Sequence, residues 1–171
     1  MVHLAFVVVG AGATPLSEIL SVNVDGSRNV FEAAVEVGAR IVHVSSVAAY
    51  GLVRGLKRPL VEESPLRGVE TPDAYYPYSK ALAELALAEV AASVPPGRVT
   101  VLRPHVIAGP RFVTRTRNLD PILRQLGPGR KSFWTLPPLD GSRPTLQLSH
   151  EEDVAEAIAR ACSAGREGMF L

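Results

Sequence analysis

The chain has almost no cysteine. Cys162 stands alone among 171 residues, which excludes an intramolecular disulfide. No group of cysteines and histidines has zinc-ligand spacing, so no metal is expected. An excess of one charge is also missing. Lys and Arg total 18 against 17 Asp and Glu, a formal charge of +1. That gives no global pull toward nucleic acid or an anionic membrane. No apolar run is long enough to cross a bilayer, and no basic segment opens the chain as in a secretory signal. Internal repeats and low-complexity stretches are absent as well. These absences predict a cytoplasmic protein with no nucleic-acid or membrane partner. What remains is enough chain for one domain with a substantial core.

Strand and helix patterns alternate along the sequence. Residues 2–9 are a continuous apolar run, which predicts a strand buried on both faces. Residues 17–37 read as one helix, with Val30, Ala33, Ala34 and Val37 at i, i+3, i+4 and i+7 and Gly38 placed to end it. Gly26, inside that helix, suggests close packing on a strand. Residues 40–46 predict a second buried strand. An Ala- and Leu-rich helix follows over 78–92, stopped before Pro95 and Pro96, then a third strand over 98–102. Ser149 and Glu152 form a capping box for a helix through Ala164, and Met169 begins a last strand. The alternation predicts an α/β fold with a parallel sheet and right-handed crossovers. Such sheets bind ligands beyond the carboxyl ends of their strands. Gly10, Ser46 and Arg103-Pro104-His105 follow three of those ends.

Tyr76 and Lys80 sit four residues apart near the start of the second helix. A phenol near its ordinary pKa of about 10 is a poor base at neutral pH, and a fixed ammonium nearby lowers that value. Ser46 can hold a substrate oxygen by a hydrogen bond. Phenol, ammonium and hydroxyl are the parts that move a proton on or off a carbinol oxygen, with a nicotinamide as hydride partner. On its own the Tyr-x-x-x-Lys spacing also fits a packed surface pair on any helix.

The flanking landmarks supply context: Val-His-Leu-Ala (2–5), Asn-Val-Asp-Gly-Ser-Arg-Asn-Val (23–30), Val-Ser-Ser-Val-Ala-Ala-Tyr-Gly (44–51), Tyr-Pro-Tyr-Ser-Lys (76–80), Leu-Arg-Pro (102–104), Gly-Pro (109–110) and His-Glu-Glu-Asp-Val-Ala (150–155). In order and spacing the chain resembles the extended short-chain dehydrogenase/reductase superfamily, in its NAD-dependent epimerase/dehydratase group. The resemblance implies a partial Rossmann-like, doubly wound parallel sheet. Residues 1–110 would form the core, 111–148 a substrate-region insertion, and 149–171 a returning helix and strand. It implies Ser46, Tyr76 and Lys80 as catalytic residues, Lys80 also holding the cofactor ribose. Leu4, Ala5, Phe6, Asn23, Tyr76, Lys80, Pro104 and His105 would meet NAD or NADP. Ser46, Val47 and Arg111 would meet the substrate. Ser45 becomes a structural hydroxyl, and His3, His43 and His150 look structural. His105 stands equally between a site residue and a packed strand-end residue. Arginines between Arg111 and Lys131 can line a diphosphate pocket or a solvated loop. Phe133 and Trp134 can form a lid or a packing cluster.

Against the family pattern, no glycine-rich turn precedes the first strand. Gly10-Ala-Gly12 lacks a third glycine, with Pro15 and Leu16 following. A strand at 3–9 would then be an open edge. Val47 and Ala48 replace the Asp-Glu pair of the sugar dehydratases, which disfavours dehydration. The expected activity is an NAD(P)-dependent oxidoreductase or epimerase acting on a secondary alcohol or carbonyl of a small molecule, a sugar nucleotide or a sterol-like compound. The alternative is a non-catalytic binding or regulatory relative, or a truncated fragment that has lost cofactor binding. The resemblance also implies a homodimer through helices 17–37 and 74–92, whose Ala83, Ala86 and Ala88 are small apolar surface candidates.

Overall fold

The computed structural model describes residues 1–8, 14–51, 53, 59–110, 147–164 and 168–171. Four strands form a parallel sheet in the order β1 (Val2–His3), β2 (Ile41–Val44), β3 (Val99–Leu102), β6 (Gly168–Phe170). Two short strands, β4 (Val106–Ala108) and β5 (Leu148–His150), pair in parallel as a separate sheet. The helices are α1 (Leu16–Leu20), α2 (Gly26–Glu36), α3 (Tyr75–Ala91) and α4 (Glu151–Ala164). Among the described residues no helix is long and apolar enough to cross a membrane. The parallel α/β architecture is the one the alternation predicts.

β2 lies centrally and is buried along its whole length. Its Ile41 joins Phe31 and Ala34 of α2, Leu87 and Val90 of α3 and Val101 of β3 in one core cluster. Fully burying each of the large members contributes roughly 1.5–3 kcal/mol. Short 3₁₀ turns at Val47–Tyr50 and Arg67–Glu70 pack on the start of α3. Gly68 makes that contact possible: a Cβ there would lie 2.5 Å from the Pro77 carbonyl oxygen and 2.8 Å from that of Ala49. Pro77 sits in the first turn of α3, where a missing N–H costs no helical bond. The helix therefore begins at Tyr75, ahead of the expected residue 78.

The structure corrects several expectations. β1 is two residues long, Leu4 is 60% exposed, and residues 4–8 have no regular structure. The apolar run is thus not a strand buried on both faces. Among the described residues β1 is nevertheless an edge, paired with β2 alone. Residues 16–36 are one helical rod broken by a π turn at Ser21–Asp25. Its inner face carries Asn23, Ser27, Phe31 and Ala34, while Val22, Val30 and Val37 are exposed. The apolar periodicity from Val30 thus marks mostly the outer face. Gly26 makes no close approach to a strand, since the nearest atom to a Cβ there is Ser21 O at 3.7 Å. Ser149 lies in β5 rather than capping a helix. The Glu152 N–H is instead met by His150 Nδ1 at 3.3 Å.

Candidate active site

Ser45 and Ser46 follow β2, and their hydroxyls go to different places. Ser46 caps the 3₁₀ turn, its Oγ accepting from the Ala48 N–H at 3.2 Å. Ser45 Oγ donates to Glu84 Oε1 at 2.5 Å, the structural hydroxyl that was expected. Glu84 also receives Arg103 from the end of β3. Arg103 Nε and Nη2 reach its carboxylate at 2.6–3.1 Å, and both side chains are buried. Arg103 Nη1 donates to Tyr50 Oη at 2.6 Å and to the Glu62 carbonyl at 2.7 Å. The Val47 N–H donates to the Pro104 carbonyl at 3.3 Å. The carboxyl ends of β2 and β3 are therefore tied to each other and to α3. Sequence reasoning missed Glu84 and Tyr50 here. One signal was available, an acid flanked by Ala and Leu inside α3, with Glu89 the other acid of that helix.

Tyr76 and Lys80 enter this edge from the first turns of α3. Lys80 is buried, and its Nζ donates to the Val44 carbonyl at 3.1 Å. The same Nζ lies 3.7 Å from the centre of the Phe6 ring and 5.9 Å from that of Tyr76. Burial pulls the Lys80 ammonium down to about 8, against the opposing charge of Glu84. Burial also pushes the Tyr76 phenol above its ordinary value, with a hydrogen-bonding interaction to Ser46 working the other way. The expected lowering of Tyr76 by Lys80 is not what this arrangement produces. The ammonium is engaged with Val44 and Phe6, and desolvation of the phenol dominates.

The segment carrying Phe6 is held in place by two side chains. Asn23, buried in the π turn, accepts from the Val7 N–H at 2.7 Å and donates to the Val7 carbonyl at 3.1 Å. Tyr75 donates to the Val8 carbonyl. A π turn widens a helix by one residue and often marks a functional position. Here it turns the Asn23 amide onto Val7. Asn23 thus acts on this edge through the loop it holds, with its own amide committed to backbone. Phe6 is half-buried and stands edge-on to Tyr76, ring centres 6.0 Å apart. Leu4 and Ala5 are exposed, and Pro104 and His105 are half-buried after β3. Arg111, the basic stretch through Lys131, Phe133, Trp134 and the Gly10–Gly12 turn lie outside the described residues.

His3 and His43 sit in strands, as expected of structural residues. They are register partners in β1 and β2, and Phe31 packs edge-on to both.

The chain is similar to known proteins. The sequence profile of the NAD dependent epimerase/dehydratase family matches residues 1–169. DesIV, a dTDP-glucose 4,6-dehydratase from Streptomyces venezuelae solved with NAD and TYD bound, is similar at 25% identity and a TM-score of 0.67. It is covered over 49% of its length by 99% of this chain. RMD from Pseudomonas aeruginosa, complexed with NADPH, has the same TM-score at 23% identity, over 99% of this chain and 57% of its own. The Helicobacter pylori ADP-L-glycero-D-manno-heptose-6-epimerase follows at 21% and 0.64, over 98% and 50%. The chain thus spans about half the length of the solved structures it matches. None of the curated proteins matches it. With a profile match over nearly every residue and a parallel sheet whose carboxyl edge gathers Ser46, Tyr76 and Lys80, the chain belongs to the NAD-dependent epimerase/dehydratase family.

Proposed function

We propose that this chain carries the proton-transfer half of an enzyme that oxidises or reduces a secondary alcohol or carbonyl, transiently in an epimerisation or as net reaction. The substrate class is a nucleotide sugar, supported by the dehydratase and epimerase activities named for the structural relatives. Val47 and Ala48 lie in the 3₁₀ turn next to Ser46, without the acid–base pair that elimination of water needs. That favours redox or epimerase chemistry over dehydration. The observation that carries the proposal is the placement of Tyr76 one helical turn from the buried Lys80 ammonium, 5.9 Å from its ring centre, on the helix that packs against the turn opened by Ser46.

The donors at this edge fit the nicotinamide-ribose end of NAD or NADP. Lys80 would hold ribose hydroxyls, and the Leu4–Phe6 and Pro104–His105 segments would flank the ring. Bound there, the nicotinamide would give or accept a hydride. The chain's own residues handle the oxygen. Ser46 orients it by a hydrogen bond. Tyr76, held as a neutral phenol by burial at neutral pH, gives its proton to the oxygen in the reducing direction and takes it back in the oxidising one. For Tyr76 to act as base, the Lys80 ammonium must come nearer the phenol oxygen than its present hold on Val44 and Phe6 allows.

Tyr76→Phe tests the assignment, because it removes only the hydroxyl. Nicotinamide turnover over a panel of nucleotide sugars should fall by about a hundredfold or more, with an unchanged circular dichroism spectrum. Turnover at the wild-type rate would remove Tyr76 from the mechanism.

A further inference from the structure

Lys80 is enclosed by walls of unequal stiffness. Below it is the Val44 carbonyl, inside the central strand and bonded at 3.1 Å. Around its stem is α3, tied to β2 and β3 through Glu84. The remaining described wall is the Phe6 ring, with the ammonium 3.7 Å from its centre. Phe6 alone belongs to no regular element, and it is only half-buried. A cation at that distance over an aromatic face is attracted to it. The ring spends this attraction on the residue that the proposed function assigns to the ribose. Lys80 is 5% exposed in this arrangement, so no ligand of ribose size can reach it while the ring stays.

We propose that Phe6 is a gate on Lys80, an aromatic cover that must swing off the ammonium before a nicotinamide-ribose diol can be held there. The inference rests on the reading of Lys80 as the ribose-holding residue. The anchoring of Val7 and Val8 by Asn23 and Tyr75 makes Phe6 the adjacent residue that can turn about its side-chain bonds without moving the backbone. The ring is edge-on to Tyr76 in the closed position, so opening would uncover phenol and ammonium together. Closed, the site keeps the ammonium buried beside a half-buried phenol. Open, it presents them to cofactor and substrate.

Amine labelling reads the gate without needing turnover. The chain has three lysines, Lys57, Lys80 and Lys131, so the other two serve as internal references. Acetic anhydride labelling of Lys80, followed by mass spectrometry, should be slow in the wild type. On the high-pH plateau, where protonation no longer limits the rate, Phe6→Ala should raise it about tenfold relative to the reference lysines. Phe6→Leu keeps bulk without the ring face and should fall between them. It also carries the comparison if the alanine variant folds poorly. NADH at saturating concentration should then protect Lys80 in Phe6→Ala. Unchanged labelling in both variants overturns the gate. Faster labelling without protection by NADH or NADPH overturns the proposal through the cofactor reading, leaving the ring as a cover with nothing to admit.

Discussion

Glu84 shows how much one missed residue organises. Its carboxylate collects Arg103 and Ser45, and through Arg103 the Tyr50 hydroxyl and the Glu62 carbonyl. A buried pair of this kind is a weak source of net stability, but removing one partner strands the other charge. Glu84→Gln should therefore destabilise the fold by about 3–5 kcal/mol in denaturant titration, and loosen Ser45 and Ser46 with it. A loss under 1 kcal/mol, on the order of an exposed pair, would mean that water reaches Arg103. His43 offers a pH test at the same scale. Among the described residues neither of its buried ring nitrogens has a hydrogen-bond partner, and burial lowers the imidazole to about 3, with the charges of Lys80, His3 and Arg103 adding to it. The unfolded chain binds that proton near pH 6.5, so stability is full above 6.5 and falls as pH drops toward 3. His43→Leu should flatten this slope in thermal melts between pH 4 and 7 without lowering stability at neutral pH, since no hydrogen bond is lost. A slope unchanged by the substitution would assign it to other groups.

At the scale of elements, strands and helices were legible where burial and period agree. β2, β3 and α3 fall within a few residues of expectation, because a continuous apolar run or an Ala-rich stretch leaves few alternatives. The rod at 16–36 was legible as helix but not in its facing. Its inner face is polar at Asn23 and Ser27 and apolar at Phe31 and Ala34, while valines occupy the outside, so hydrophobicity alone pointed outward. Nor does any propensity announce a π turn. It exists because Asn23 completes two hydrogen bonds with Val7, and that partner lies 16 residues away. Of the site, Ser46, Tyr76 and Lys80 were legible as motif, while Phe6 over Lys80 was not, since a cation–aromatic contact between residues far apart in sequence leaves no pattern. Asn23→Ala should expose this dependence. Leaving the Val7 amide and carbonyl without partners costs about 1–3 kcal/mol, and hydrogen exchange at Val7 should speed up while the β2 amides stay protected. Equal acceleration in β2 would show that Asn23 supports the whole sheet rather than one loop.

Among the described residues, the helical rod and α3 carry apolar side chains that the core does not use. Val22, Val30 and Val37 are 52%, 38% and 78% exposed along one rod, and Leu85 is 43% exposed on α3. Ala88 is exposed as well, whereas Ala83 and Ala86 are buried inside the chain and drop out as surface candidates. The ion pair of Arg28 with Glu89, at 2.5 Å, joins the two helices across this side. Exposed apolar side chains on two helices joined by an ion pair are candidates for an interface. We propose a second copy as its occupant, arranged so that α2 and α3 meet their equivalents about a two-fold axis. Sedimentation should find a dimer, and Ala88→Arg should convert it to a monomer by placing a buried, unpaired charge in that contact. The substitution sits on the exposed side of α3, away from Ser46, Tyr76 and Lys80, so labelling of Lys80 should not change. A dimer that survives Ala88→Arg would move the contact off these helices. A wild-type monomer at all concentrations would leave the valine band to some other occupant.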